Sequence, residues 1–350
     1  MSEQLLEKPG IERLRAGRAR RGSVVSTGSL VTTELPEGGA SLPLVVRPAF
    51  RGVDLLEWAG ANREWIESRL RESGALLFRG FEGQTVARFE DFGRAVCGEL
   101  LEYRERSSPR HSVRGQIYTS TDYPAEHDIF LHNENSYQYR WPMKVLFYCA
   151  EASPVGGETP IADCRKVFAR IDPQVAERFQ KLGWMYVRNF GDGFGLPWQS
   201  VFRTEDRTAV EEHCRSVGIV AEWKERDRLR TRAVRPAVSR HPQTGETVWF
   251  NHATFFHVST LEEGVRRALL ADFPAEDLPT NTFYGDGSPI EPEVLEHLRE
   301  AYRQETVALP WQQGDILLVD NMLAAHGRRP YAGPRRILVA MGEPRCWDEL

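Results

Sequence analysis

The sequence predicts a mainly β protein with helical insertions, on the scale of one large barrel or sandwich. Short apolar runs typical of strands dominate the centre and the C-terminal part of the chain, without the regular strand–helix alternation of a doubly wound sheet. The 350 residues are 41% hydrophobic and include 17 Phe, 9 Trp and 10 Tyr, enough apolar material to close a sizeable core. We therefore expect one elaborated domain.

The N-terminal elements follow from composition and hydrophobic periodicity. Residues 1–43 are polar and rich in Arg, Gly, Ser and Thr, so we expect a weakly ordered lead before a single domain over residues 44–350. Apolar residues at helical spacing predict a helix over 54–74 and a second helix over 85–100. The stretch ALLFRGF between them predicts a short buried strand.

The later elements alternate strands with helical insertions. KVLFYCAEA predicts a strand closed by the turn SPVGGET, and PQTGE predicts the turn of a hairpin. The last strands lie in GDILLVDNMLAAHGRRPYAGPRRILVAMGEP, as a strand, a loop and another strand. Helical segments are predicted at 163–183 with a break at Pro173, at 205–225 and at 292–303.

Charge and composition exclude several functional classes. A net charge of −5 gives no general basic surface for nucleic acid, and the Arg-rich stretch 12–23 is typical of a solvated helix or tail. No apolar run is long enough to cross a bilayer, and the N-terminus lacks the apolar core of a signal peptide. The five scattered cysteines form no C-x-x-C pair and indicate reduced packing residues. We expect a cytoplasmic protein that binds neither nucleic acid nor a membrane.

A histidine and a glutamate two positions apart form the first candidate metal-binding pair. On a strand, His132 and Glu134 would point to the same face and could hold one ion between them. The H-x-E pattern alone is weak, because it occurs often by chance. His326 follows the apolar strand DILLVDNML and supplies a second imidazole. Two imidazoles and one carboxylate occupy one face of a metal and leave positions open, as in non-haem Fe(II) oxygenases.

Several ordered motifs extend this pattern beyond the triad. His132-x-Glu134, the GGET turn at 156–159, His326 and the GPRR stretch after it resemble the iron- and 2-oxoglutarate-dependent oxygenases of the taurine dioxygenase group. Within that group the chain is similar to the SyrP-like hydroxylases of natural-product pathways. The resemblance runs from about residue 75 to 344 and includes GGETPIADCRKVF, GETVWFN, FYGDGSPIE and DNMLAAHGR.

The resemblance implies a double-stranded β-helix, or jelly roll, in which His132, Glu134 and His326 bind Fe(II). It also implies 2-oxoglutarate as a cosubstrate that chelates the iron, and O2 as the oxidant. An Arg after the distal His pairs with the far carboxylate of 2-oxoglutarate in this family, a task that suits a planar guanidinium.

Two arginines compete for that role, Arg335 and Arg336. Adjacent strand residues face opposite ways, so only one of them can point inward, and Arg335 is the first choice. Thr159 matches the family Thr that adds a hydroxyl hydrogen bond to the same carboxylate. Arg328 and Arg329 are interpreted as loop charges.

The acid at position 134 bears on the reaction type. Family members that halogenate carry a small residue there so that chloride can bind iron, and Glu134 therefore favours hydroxylation. The implied substrate is an amino acid or amino-acid derivative, free or tethered to a carrier protein, and desaturation or another oxidation is the alternative. We predict that Tyr137, Asn251 and His252 contact it, since they belong to two polar-aromatic stretches. The equally open alternative is that they are core or loop residues.

Three other functions share part of this sequence pattern. A zinc nucleobase deaminase also begins with H-x-E, but Cys149 and Cys164 are too far apart for its P-C-x-x-C motif. A metal hydrolase would use His252 and His257, whose spacing suits neither one strand face nor one helix turn. The third is a non-enzymatic β-sandwich protein in which the triad is a structural metal site. Oxygen-dependent conversion of 2-oxoglutarate to succinate would exclude it.

Overall fold

The computed structural model describes residues 30–102, 111–120, 123–191 and 195–350. Its strands are β1 Val31–Glu34, β2 Leu44–Pro48, β3 Ala75–Phe78, β4 Ser112–Arg114, β5 Ile117–Thr119, β6 Ile129–His132, β7 Arg140–Glu151, β8 Val155–Gly156, β9 Ile161–Asp163, β10 Trp184–Phe190, β11 Ile219–Trp223, β12 Leu229–Arg235, β13 Val238–Arg240, β14 Thr247–Trp249, β15 Thr280–Tyr284, β16 Thr306–Val307, β17 Ile316–Asp320, β18 Ala324–Arg328, β19 Tyr331–Ala332 and β20 Arg336–Cys346.

The helices are α1 Leu55–Ala61, α2 Arg63–Ser73, α3 Val86–Cys97, α4 Cys164–Arg170, α5 Pro173–Leu182, α6 Trp198–Phe202, α7 Arg207–Ser216, α8 Glu263–Asp272 and α9 Pro292–Glu305. Short 3-10 turns lie at Glu37–Gly39, Val258–Thr260 and Trp347–Glu349. None of the helices in the described ranges is both long and apolar enough to span a bilayer.

Two facing sheets form the centre of the molecule. The larger has the strand order β1-β2-β3-β17-β7-β20-β5-β4, antiparallel except between β2 and β3. The smaller has the order β16-β9-β18-β6. Apolar side chains from both sheets fill the space between them, among them Val145, Ile161 and Ala324. The prediction of a mainly β jelly roll with helical insertions is confirmed.

Strand alternation explains how the larger sheet has two apolar faces. Successive strand side chains point to opposite faces. On β17, Ile316 and Leu318 pack against the outer helices, whereas Leu317 and Val319 pack between the sheets. A strand buried on both faces therefore reads as a continuous apolar run, as ILLV does here.

The outer face of the larger sheet is covered by α1, α2 and α3. The single helix predicted over 54–74 is two helices, because the chain leaves helical geometry at Asn62. Asp54 caps α1 by accepting hydrogen bonds from the amides of Leu56 and Glu57. The second helix ends at Gly74, whose left-handed φ of 77° is the usual helix stop.

A third sheet, β11-β12-β10-β15, and the hairpin β13-β14 lie outside the two central sheets. The hairpin is the one predicted around PQTGE. The helical insertion predicted over 205–225 is helical only in α7, because IVAEW pairs with β12 as strand β11. Its β-branched and aromatic residues suit a strand better than a helix.

The predicted N-terminal lead needs a correction at its C-terminal end. Residues 31–34 form β1 and pair with β2, so the ordered sheet begins before residue 44. The predicted tail at 12–23 lies outside the described residues. The single domain over 44–350 stays a prediction.

Candidate metal centre

The two histidines of the triad come together through strand pairing. His132 ends β6 and is the direct partner of His326 on β18, with ring centroids 4.6 Å apart. The Nδ1 atom of His132 lies 2.8 Å from the carbonyl oxygen of Phe130, and donation to that oxygen fixes the tautomer in which Nε2 is the metal-binding nitrogen. The strand pair therefore presents two imidazoles side by side.

Glu134 completes the cluster from a turn rather than from a strand. The expectation that residues 132 and 134 share one strand is wrong, because β6 ends at His132 and Asn135 has a left-handed φ of 56°. The Glu134 carboxylate nevertheless lies 3.4 Å from His326 Nε2. Ligand atoms of the three side chains all lie within 4.8 Å of one another. Two imidazoles and a carboxylate at this separation fit a single divalent ion.

Aromatic rings shield the cluster from water. Phe255 stacks on His132 with centroids 4.6 Å apart, and Phe147 packs edge-on against His326 at 4.9 Å. Glu134 and His326 are each 4% exposed. Sequence reasoning missed Phe255, although it lies in the aromatic stretch WFNHATFFH, residues 249–257. A carboxylate with so little water around it needs a cation or strong hydrogen bonds.

A glycine allows the two histidine-bearing strands to approach each other. The register between β6 and β18 shifts at Gly327, where a Cβ atom would lie 2.5 Å from the carbonyl oxygen of Ile129. We expect Gly327→Ala to push the strands apart, to lower the free energy of unfolding by about 1–3 kcal/mol and to weaken metal binding. Thermal denaturation and Co(II) titration measure the two effects.

The matched control for this prediction is Gly60→Ala. Gly60 lies inside α1, and nothing lies within 4 Å of an added Cβ. An alanine there should raise stability by about 0.5–1 kcal/mol and leave Co(II) affinity unchanged. A Gly327→Ala protein with wild-type stability and affinity would show that the close approach is unimportant.

The residues predicted to bind 2-oxoglutarate line a small cavity next to the triad. His132, His326, Thr159 and Arg335 all line it. The Thr159 hydroxyl accepts a hydrogen bond of 3.3 Å from Trp311 Nε1. The structure thus brings Thr159 and Arg335 to the same cavity as two of the metal-site residues.

The two competing arginines have different surroundings. Arg335 is partly buried and donates from Nε to the carbonyl oxygen of Gly157 at 2.8 Å, while Arg336 is exposed. Burial, with a smaller contribution from the positive charge of Arg328, lowers the pKa of Arg335 to about 10. Arg335 therefore still carries its charge at neutral pH.

The interpretation of Arg328 as a loop charge is wrong. It lies on β18, is 5% exposed and also lines the small cavity. Its guanidinium donates hydrogen bonds to the carbonyl oxygens of Tyr123, Pro124 and His127. Three backbone acceptors offset much of the cost of burying this cation. Arg328 therefore fastens the segment before β6, a role that the sequence did not reveal.

A larger cavity of about 260 Å³ also borders the triad. Besides His132 and Glu134, it is lined by Tyr123, Asp128, Ile129, Phe130, Tyr137, His252, Phe255, Phe256, His257, Val258, Thr260, Leu261 and Thr280. A mostly aromatic and apolar wall with a few polar groups is typical of a small-molecule site. The structure therefore places Tyr137 and His252 at this cavity.

Asn251 is placed differently from Tyr137 and His252. It does not line the cavity, because its amide is engaged by the backbone: it donates to the Ala237 carbonyl and accepts from the Ala253 amide, both at 2.9 Å. It is 2% exposed and acts as a structural residue. This geometry agrees with the alternative that Asn251 is a core residue, and it gives no support to the predicted substrate contact.

The two histidines of the cavity wall outside the triad, His252 and His257, are neutral at neutral pH. Burial, followed by the nearby His132, pushes the pKa of His252 well below its ordinary range, and its Nδ1 lies 2.6 Å from the Ser136 hydroxyl. Burial, followed by the positive charge of Arg299, lowers the pKa of His257 to about 4. Neither belongs to the group of potential metal ligands formed by His132, Glu134 and His326 among the described residues.

Asp128 is a lining residue that sequence reasoning missed. It immediately precedes β6 and lies 3.6 Å from Arg329 Nη1. Burial raises the pKa of its carboxyl, against the smaller opposing effect of Arg329. Strand alternation from His132 through Phe130 to Asp128 could have placed it on the same face.

Comparison with known proteins agrees with this geometry. Residues 36–341 match the family described as "Taurine catabolism dioxygenase TauD, TfdA family". The chain is 42% identical over 279 residues to the dapdiamide synthesis protein DdaC of Enterobacter agglomerans, covering 80% of this chain and 85% of the relative. It is 30% identical over 318 residues to a clavaminate synthase-like protein of Arabidopsis thaliana, covering 87% and 91%.

Two solved structures share the fold. PvcB, described as an Fe, alpha-ketoglutarate dependent oxygenase from an isonitrile synthetic pathway, aligns with a TM-score of 0.54 at 18% identity and covers 92% of this chain and 94% of its own. A taurine dioxygenase from Burkholderia xenovorans aligns with a TM-score of 0.53 at 14% identity, covering 92% and 93%.

These matches decide among the rival readings. The family match spans most of the chain, so the deaminase, hydrolase and non-enzymatic readings are set aside. The SyrP-like subgroup stays a prediction. The chain belongs to the TauD/TfdA family and is an Fe(II)- and 2-oxoglutarate-dependent dioxygenase, with O2 as its oxidant.

Proposed function

We propose that this dioxygenase hydroxylates an unactivated carbon of an amino acid or amino-acid derivative, free or carrier-tethered, in natural-product biosynthesis. The observation that carries the proposal is that the triad borders two cavities: His132 lines both, Glu134 lines the larger and His326 lines the smaller. A cosubstrate in one cavity and a substrate in the other would then meet at the same metal. Desaturation or another oxidation by the same site is the alternative.

In this proposal His132, Glu134 and His326 are the iron ligands. Their support is that their ligand atoms lie within 4.8 Å of one another and that the three side chains are almost fully buried. When bound, the iron and 2-oxoglutarate activate O2, and R–H, O2 and 2-oxoglutarate become R–OH, succinate and CO2. The protein residues hold the reactants in place and keep the site dry.

Arg335 and Thr159 are proposed to bind the far carboxylate of 2-oxoglutarate. The support is that both line the small cavity beside His132 and His326, and that Arg335 keeps its charge while partly buried. A guanidinium can donate two parallel hydrogen bonds to a carboxylate. Arg336, being exposed, is assigned no contact with the cosubstrate.

The larger cavity is proposed to hold the substrate between Tyr137, His252 and Asp128. Among the described lining residues Asp128 is the carboxylate outside the triad, and it would suit the ammonium group of an amino acid. DdaC is described as a dapdiamide synthesis protein and PvcB as an oxygenase from an isonitrile synthetic pathway, which supports a biosynthetic role. A carrier protein as partner and a cytoplasmic location are parts of the same proposal.

The test is a substrate screen with the Fe(II)-loaded protein. Free amino acids and carrier-bound aminoacyl groups are incubated with 2-oxoglutarate and O2, and mass spectrometry follows the products together with succinate. Hydroxylation adds one oxygen to the substrate, whereas desaturation removes two hydrogens. Turnover of substrates that carry no amino group, with none of the amino acids or aminoacyl groups accepted, would contradict the proposed class.

We expect His252→Ala to uncouple the two half-reactions. A residue that contacts only the substrate should leave substrate-free turnover of 2-oxoglutarate intact, while hydroxylation at saturating iron falls. The measurement is the ratio of hydroxylated product to succinate. Asn251→Ala is the matched control, because the Asn251 side chain, next to His252 in the sequence, bonds to the backbone of Ala237 and Ala253. This variant should lower the unfolding temperature and keep the ratio. Parallel loss of both half-reactions in His252→Ala would place it outside the substrate site.

A further inference from the structure

The turn that carries Glu134 is not held by either central sheet. Strand β6 ends at His132, and the next strand, β7, begins only at Arg140. Asn135 has a φ of 56°, so the backbone turns immediately after Glu134. A carboxylate on such a turn needs another anchor to stay 3.4 Å from His326.

That anchor is the side chain of Asn321. Its Oδ1 accepts a hydrogen bond from the Glu134 amide at 2.7 Å, and its Nδ2 donates to the Glu134 carbonyl at 2.9 Å. The same Nδ2 donates to the Pro142 carbonyl at 2.8 Å. The amide therefore binds both backbone polar groups of Glu134, as a neighbouring strand would.

Asn321 is itself held firmly. Its backbone amide donates to the Met143 carbonyl at 2.8 Å, and its carbonyl accepts from Asn133 Nδ2 at 2.7 Å. The adjacent Asp320 accepts from the amides of Met322 and Leu323, both at 3.0 Å. Asn321 is fully buried, so water cannot replace these bonds.

We propose that Asn321 is a positioning residue that sets the distance between the Glu134 carboxylate and His326. Asn321 lies just after β17, and β18 with His326 follows within a few residues. The same short segment therefore carries His326 and holds the backbone of Glu134. Only an amide of this length supplies the acceptor and both donors: aspartate lacks the donors, and alanine and serine cannot span the gap. The inference rests on the proposed role of Glu134 as a metal ligand.

The experiment measures metal affinity without turnover. Co(II) is titrated into the metal-free full-length protein and into Asn321→Asp and Asn321→Ser, with thermal denaturation in parallel. We expect both variants to bind Co(II) roughly 10- to 100-fold more weakly, the usual effect of losing a group that orients a ligand. Asn189→Asp is the control. Asn189 lies on β10, and its side-chain amide also donates to two backbone carbonyls, at 2.9 and 2.7 Å. It should lose stability and keep its Co(II) affinity.

Two outcomes would overturn the proposal. The first is wild-type Co(II) affinity in a folded Asn321 variant while Glu134→Gln loses that affinity. If Glu134→Gln also kept wild-type affinity, the proposed metal site itself would be rejected.

The second outcome comes from hydrogen exchange in the unmodified metal-free protein, which can be measured even if neither Asn321 variant folds. Hydrogen exchange of the Glu134 amide should be strongly protected by its bond to Asn321, and exchange at the rate of an open loop would refute the anchor.

Discussion

Glu134→Gln is expected to abolish iron retention and the conversion of 2-oxoglutarate to succinate. The substitution keeps the volume and removes the charge, so a loss reports on the carboxylate as a ligand rather than on packing. Glu134 is almost fully buried beside His132 and His326, and removing one partner of a buried charged group costs about 3–5 kcal/mol. That corresponds to a loss of metal affinity of at least roughly 100-fold.

The measurements for this prediction are iron content after desalting and anaerobic Fe(II) titration. His132→Ala and His326→Ala should give the same result, because each removes one ligand from the same face of the metal. Glu246→Gln is the control: this exposed carboxylate pairs with Arg165 and should leave iron binding unchanged. Full iron occupancy in Glu134→Gln would mean that the triad is misassigned.

The sheet architecture was predictable because its signal is local. The apolar run ILLV and the PQTGE hairpin specify strands whatever surrounds them, and both appear as β17 and β13-β14. The break at Asn62 was missed because tertiary contacts decide it. Strand β11 was missed although its β-branched and aromatic residues suit a strand. Helical spacing continues across Asn62, so the sequence gives no sign of the break there.

The candidate site was predictable only in its ligand types. Residue type and spacing identified His132, Glu134 and His326 as candidate ligands. The reason given for pairing His132 with Glu134 was a shared strand face, but the strand ends at His132. Glu134 is instead positioned by a hydrogen bond to Asn321, a residue far away in the sequence that no local pattern could have indicated. Arg328 was misjudged for a similar reason: its acceptors lie about two hundred positions earlier in the chain.

The choice between Arg335 and Arg336 shows why alternation alone was insufficient. Alternation states that only one can face inward, but the phase of the alternation depends on the pairing of β20 with β7. That pairing shifts its register between Arg336 and Ile337, which resets the phase at the start of the strand. Sequence reasoning had no means of locating this irregularity.

We expect Arg335→Ala to raise the Michaelis constant for 2-oxoglutarate roughly 10- to 150-fold, because a hydrogen-bonded charged pair contributes about 1.5–3 kcal/mol. Arg336→Ala is the matched control, because it removes the same residue type at the next position of the chain but from an exposed site. The constant should stay within about twofold of wild type, since exposed charges matter little. Arg335→Lys should fall between them, because it keeps the charge and loses the planar fork. The measurement is initial succinate formation at saturating Fe(II) across a range of 2-oxoglutarate concentrations. Equal effects from Arg335→Ala and Arg336→Ala would reject Arg335 as the carboxylate partner, and a larger effect from Arg336→Ala would exchange the two assignments.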